Sequence, residues 1–174
     1  KDSVSNLSFF MALNLQLRIG CRVGELKKLK WSSLTDNILV FQQKGGKERI
    51  VSLPEEMAEQ IMEYKEELET MMETKLSKDD YIFQMRFDRK FGKQDKPFDT
   101  SAFNRKLKKL GEQLGIKKNL HSHQSRATFF TEGLDIGFSA RDMAGMAGCT
   151  ITNVERYDAG NLEKQKDIIR KQRY

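Results

Sequence analysis

The sequence predicts a mainly helical α+β domain with a small antiparallel sheet. Three observations carry that expectation. Long stretches repeat apolar residues at steps of three and four. Only two prolines, Pro54 and Pro97, interrupt the 174 residues. One stretch, ILVFQQKGGKERIVSL, sets two β-branched and aromatic runs around Gly45-Gly46. A chain of this length can bury one sizeable core, so a single domain over residues 1–174 is expected.

Residues 3–19 hold Leu7, Phe10, Met11, Leu15 and Leu17 at helical spacing, with Ser3 or Ser5 as cap and Gly20 as stop. A second helix is expected from about Arg22 to near Trp31, with Val23, Leu26 and Leu29 on one face. SSLTDN is turn chemistry. The β-hairpin follows at about 38–53, closed by a two-residue Gly-Gly turn with positive φ. Such a turn sets Lys44 and Lys47 directly opposite each other on one face of the ladder. Pro54 opens a long helix with glutamates in its first turn, where acids suit the helix dipole. Met57, Ile61, Tyr64, Leu68 and Met71 form its apolar stripe. A break and a short strand are expected in LSKDDYIFQ, then a basic, aromatic loop over 86–98. Thr100 is the expected cap of a helix over 101–114 that carries Arg105, Lys106, Lys108 and Lys109. Helices follow from His123 to about Glu132, from Ser139 to Ala147, and in a weaker stretch ending in VERYDAG. The last is expected from about Leu162 to Arg170.

Lysine and arginine outnumber aspartate and glutamate by 31 to 25, a net charge of +6. That excess favours a polyanionic partner. Two cysteines, Cys21 and Cys149, and two histidines supply no CxxC pair and no HExxH, which argues against a structural zinc site. Isolated thiols fit a reducing compartment. The sequence has no signal-peptide pattern and no apolar run long enough to span a bilayer, so a cytoplasmic location without membrane contact is expected. The first residue is Lys1, not methionine, and a longer parent protein is the expectation.

Four stretches carry chemistry. GCRVGEL places Arg22 behind a Gly-Cys break. QKGGKER offers Lys44 and Lys47. HSHQSR offers His121, His123 and Arg126. MAGCTITNVERYDAG offers Cys149 and Tyr157. Singly, each is an ordinary solvated or core residue; their order is what informs. That order resembles the catalytic domain of the tyrosine recombinases, the phage-integrase family, over nearly all of the chain. Members carry an Arg in G-x-R-x-x-E-L, a Lys beside a hairpin turn, a His-x-x-Arg box, a His or Trp after a Gly, and a Tyr about nine residues later. Two positions depart. Ala147-Gly148-Cys149 stands where the family has Leu-Gly-His or Gly-Gly-Trp, and Ala127 stands where many members have another histidine. Counting forward from Arg126 puts Cys149 in the His/Trp slot; counting back from Tyr157 puts Gly148 there. We take Cys149, with one residue deleted before Tyr157.

The resemblance implies an integrase-type fold and attack of the Tyr157 hydroxyl on a DNA phosphodiester. A 3′-phosphotyrosyl bond forms and a 5′-hydroxyl leaves; a second 5′-hydroxyl reverses the step, with no cofactor. Arg22 and Arg126 would hold the non-bridging oxygens, because a guanidinium keeps its charge and donates through a planar fork. A tyrosine of ordinary pKa is about one part in a thousand ionised at pH 7, so a base is needed, and His123 is the candidate. A hairpin lysine would protonate the leaving oxygen. The alignment favours Lys44, with Lys47 in reserve. Cys149 either keeps the packing of its slot or is a small buried thiol; a thiol is a weak donor. Glu25 either orients Arg22 or forms a surface i,i+3 pair with it.

Implied partners are double-stranded DNA and further copies of the chain, as a tetramer on DNA. An N-terminal core-binding domain is expected outside this sequence. The last helix, with Ile168 and Ile169, would dock on a neighbouring subunit or pack within its own. The basic segments 86–96 and 105–118 would neutralise phosphates, while their aromatics belong to the core. Three other functions compete: type IB topoisomerase-like relaxation, a DNA-binding module that does not cleave, and a basic scaffold for an acidic protein.

Overall fold

The computed structural model describes residues 2–43, 45–88, 90, 92–158 and 170. Its elements run α1 (Asp2–Ile19), α2 (Val23–Leu26), a 3-10 turn (Trp31–Ser33), β1 (Leu34–Thr35), β2 (Ile38–Gln42), β3 (Glu48–Ser52), α3 (Glu55–Met72), α4 (Thr100–Gln113), α5 (Ser122–Asp135), α6 (Ala140–Ala147) and α7 (Ile151–Asp158). The class is as expected: mainly helical, with one antiparallel sheet in the order β1-β2-β3.

α1 starts ahead of both candidate caps, and the Ser5 hydroxyl donates instead to the Met85 carbonyl at 2.9 Å. Its buried stripe is Val4, Phe9, Ala12, Leu15 and Ile19, while Phe10 and Leu17 are exposed. α2 is one turn long and does not continue to Trp31. The segment after it is drawn into extended pairing. The Trp31 amide donates to the Asp80 carbonyl and the Ile82 amide to the Leu29 carbonyl, at 3.1 and 3.0 Å. That pairing also accounts for the strand expected in LSKDDYIFQ, which is a single bridge between Lys30 and Tyr81.

The hairpin lies where the sequence puts it, but its turn is longer. Gln42 faces Glu48, and the Gln43 amide donates to the Lys47 carbonyl at 2.7 Å. Lys47 therefore faces Gln43, one step off the register expected of a two-residue turn. Lys44 itself lies outside the described residues. The odd-numbered positions Leu39, Phe41, Arg49 and Val51 are buried, and the even-numbered Ile38, Ile50 and Ser52 are exposed. By this alternation, half-buried Gln43 and exposed Lys47 fall in phase with buried Arg49.

α3 buries Met57, Ile61, Tyr64 and Leu68 as expected, with Met72 completing the stripe and Met71 only partly buried. The Tyr64 hydroxyl donates to the Ile82 carbonyl at 2.8 Å and meets the Ser8 hydroxyl at 2.9 Å. Phe87 and Phe98 of the basic loop are core residues. Within that loop Lys93 is committed to Asp80 at 2.7 Å. Asp99, not Thr100, caps α4 by accepting from the Ser101 amide at 3.0 Å. The helix expected from Ser139 to Ala147 is α6, with Ser139 outside it as the N-cap. The expected helix over 162–170, with Ile168 and Ile169, lies outside the described residues except for Arg170.

Two apolar clusters result. The larger unites α1, the sheet, α3 and α4; the smaller unites Phe129, Phe130 and Leu134 of α5 with Met143, Ala144 and Ala147 of α6 and Val154 of α7. α5 packs on α1, so the seam between the clusters runs past Gly20, Arg22 and the start of α5. No helix among the described residues is long and apolar enough to cross a membrane.

Candidate active site

The seam opens as a pocket of about 360 Å³ lined by Arg22, His123, Arg126, Cys149 and Tyr157, with Phe130, Asn153 and Arg156 completing the wall. Five of the six residues singled out in the sequence therefore meet in one concavity. Lys44, the sixth, falls outside the described residues.

Each side chain arrives by a different local rule. Gly20 ends α1 with φ +66, and Arg22 sits in extended conformation as the N-cap of α2. Arg126 lies one turn into α5, where its guanidinium is buried at 4% exposure and stacks over the Phe130 ring at 5.1 Å. Its Nη1 donates to the Gly20 carbonyl, so α5 is latched to the end of α1. Its Nη2 is buried and has no hydrogen-bond partner among the described residues. Burial first, then the like charge of Arg22, pushes the Arg126 pKa below its ordinary value, while Cys149 and Glu25 act the other way. Arg22 is more open, at 49% exposure, and its Nη1 donates to the Gly148 carbonyl at 3.2 Å.

α7 presents Tyr157. Its ring lies against Phe130, with centroids 5.2 Å apart, and its hydroxyl is 3.3 Å from Nε2 of His123. His123 is exposed at the start of α5. His121 precedes α5 as its N-cap and its backbone amide is held by Gln124 at 2.9 Å, so the two histidines separate into one helix cap and one pocket residue. Cys149 follows Gly148 and lies partly buried at the edge of the smaller cluster.

A buried ion pair ties this arrangement together. Glu25 is 8% exposed and Arg49 6% exposed, with Nη2 to Oε2 at 3.3 Å. The same carboxylate accepts from the Arg22 backbone amide at 2.7 Å and lies 3.6 Å from its guanidinium. Arg49 also donates from Nη1 to the Met146 carbonyl at 2.5 Å and covers the Phe41 ring at 4.1 Å. Of the two alternatives for Glu25, the geometry selects the orienting one over a surface pair. Sequence reasoning missed Arg49, although its phase with Val51 marks it as inward-facing. It also missed Phe130, one turn beyond Arg126, and Asn153, one turn before Tyr157.

Gly148 has φ +60, and a Cβ there would overlap the side chains of Gln43 and Arg49. Gly148→Ala is expected to lower stability by about 1–2 kcal/mol for the left-handed backbone alone, and more for the overlap. A urea midpoint equal to that of the parent chain would refute this.

The model of the phage integrase family matches residues 2–161. A tyrosine recombinase of Pseudothermotoga lettingae is 30% identical over 172 residues, covering 91% of this chain and 55% of that protein. Tyrosine recombinase XerC of Leptospira interrogans is 26% identical over 155 residues, covering 87% and 46%. The crystal structure of XerA recombinase superposes with a TM-score of 0.72 at 25% identity, covering 98% of this chain and 59% of that one. XerH recombinase, in a post-cleavage complex with its palindromic difH substrate, gives 0.74 at 16% identity, covering 96% and 46%, and so shares the fold. The chain belongs to the phage integrase family. It spans about half the length of the curated relatives it matches.

Proposed function

We propose that residues 1–174 form the catalytic domain of a site-specific DNA recombinase that cleaves and rejoins strands through a 3′-phosphotyrosyl link. The observation that carries this is the Tyr157 hydroxyl, 3.3 Å from His123 in a pocket walled by Arg22 and Arg126. The phenol oxygen attacks phosphorus while His123 takes its proton. Arg126 Nη2 and the Arg22 guanidinium donate to the non-bridging oxygens as negative charge grows on them. The 5′-oxygen leaves with a proton from the hairpin. Cys149 fills the slot beside the nucleophile by packing. Double-stranded DNA is the partner, with a tetramer of the chain for strand exchange. The DNA-bound XerH and lambda integrase structures support that choice of partner. A duplex with a nick just downstream of the scissile phosphate loses the short fragment that carries the freed 5′-hydroxyl, so a covalent adduct should accumulate. Paired supercoil-relaxation and two-site recombination assays separate strand exchange from topoisomerase-like relaxation.

Lys44 is the proposed proton donor. Lys47 is the second candidate, because it pairs with Gln43, whose side chain lies 3.5 Å from Glu25. A 5′-bridging sulfur leaves without needing a proton. Lys44→Ala is expected to slow cleavage of ordinary DNA by about 10²–10⁴-fold and to recover on the bridging phosphorothiolate. If Lys47→Ala shows that pattern and Lys44→Ala does not, the assignment reverses.

A further inference from the structure

We propose that Cys149 is a peroxide-reactive thiol whose oxidation to a sulfenic acid reversibly stops strand cleavage. The second half of this statement rests on the function proposed above; the first half does not.

The two cysteines occupy opposite environments. Cys21 is fully buried, and burial pushes its thiol up to about 12. Cys149 is partly exposed and shares its pocket with Arg22, Arg126, Arg156 and His123. Thiols that react sit in partly exposed, electropositive surroundings, whereas apolar burial makes a thiol inert. A second observation makes the same pocket receptive to an oxygen atom. Arg126 is 96% buried by its 4% exposure, and its Nη2 has no partner among the described residues. Reduced sulfur is a weak acceptor and satisfies that donor poorly. An oxygen on sulfur would satisfy it well.

The step balances. The Cys149 sulfur attacks one oxygen of hydrogen peroxide; the S–O bond forms as the O–O bond breaks. Sulfur gives up two electrons, and the departing hydroxide takes the thiol proton and leaves as water. The sulfenic oxygen then competes with a phosphate oxygen for Arg126 Nη2 and fills space beside Tyr157. Cys21 is too buried to act as a resolving thiol, so the sulfenic acid persists until an added dithiol reduces it.

The test treats the chain with hydrogen peroxide, traps sulfenic acid with dimedone, and locates the tag by mass spectrometry. The expected result is a tag on Cys149 and none on Cys21. Cleavage of the nicked duplex should fall at least tenfold and return with dithiothreitol. Prior binding of uncleavable duplex should slow tagging. Cys149→Ser, scored against its own untreated rate, should lose the peroxide sensitivity. Absence of a tag on Cys149, or equal tagging of both cysteines, overturns the thiol's reactivity. Full tagging with unchanged cleavage, or a Cys149→Ser chain as peroxide-sensitive as its parent, overturns the switch. If Cys149 is tagged but the untreated chain never forms an adduct, the cleavage function and the switch fall together and the reactive thiol stands.

Discussion

Tyr157→Phe is expected to yield no covalent protein–DNA adduct on a nicked duplex while binding that duplex within a factor of about two or three. Removing a covalent nucleophile elsewhere costs on the order of 10⁶ in rate, which places residual adduct below detection. The substitution deletes one oxygen and keeps the ring, so the contact with Phe130 at 5.2 Å survives. The other described tyrosines are poor substitutes. The Tyr64 hydroxyl is held between Ser8 and the Ile82 carbonyl, and burial drives its pKa upward, away from ionisation. Tyr81 pairs with Lys30 in a β-bridge and lies under its ammonium, 5.5 Å from the ring centroid. Denaturing electrophoresis of labelled DNA reads the outcome directly. A shifted band with the Phe variant would move the search to Tyr174, outside the described residues.

What the sequence disclosed and what it withheld separate along one physical line. The hairpin, α3 and the α5–α7 run were legible because their signals are local: alternation, a four-three stripe, helical spacing between turn residues. The end of α2 was not, because residues 29–31 pair with residues 80–82, and nothing within eight residues of Leu29 announces that partner. The hairpin register was off by one step because Gly45-Gly46 is compatible with a two-residue or a three-residue turn. Only the Gln43–Lys47 bond decides between them. The pocket was legible as a set because its residue types and their order match the pattern of the family that the sequence resembles. Its frame was not. Glu25, Arg49 and the Met146 carbonyl lie 24 and 97 positions apart along the chain. Only the inward phase of Arg49 hinted that a buried charge needed a partner. Neither could the sequence say that one guanidinium is nearly sealed from water and the other half open.

That difference gives the two arginines separable phenotypes. Arg126→Lys is expected to slow single-turnover adduct formation at saturating DNA by about 10²–10³-fold, the scale of losing one preorganised donor. It should also reduce stability, because the Gly20 carbonyl loses its Arg126 donor in a buried setting, a cost of about 1–3 kcal/mol. A lysine keeps the charge but concentrates its donors at one point. In the proposed mechanism one ammonium would then have to serve both the Gly20 carbonyl and the phosphate, which the Arg126 fork would divide between Nη1 and Nη2. Arg22→Lys should slow the same step comparably with a smaller stability loss, since that side chain is half exposed and its backbone amide, not its guanidinium, makes the 2.7 Å bond to Glu25. Rates and urea midpoints measured on the same preparations resolve the pair. An Arg126→Lys chain that forms adduct at the parental rate would mean that its buried guanidinium serves the α1–α5 latch alone, and that the phosphate is held by other groups.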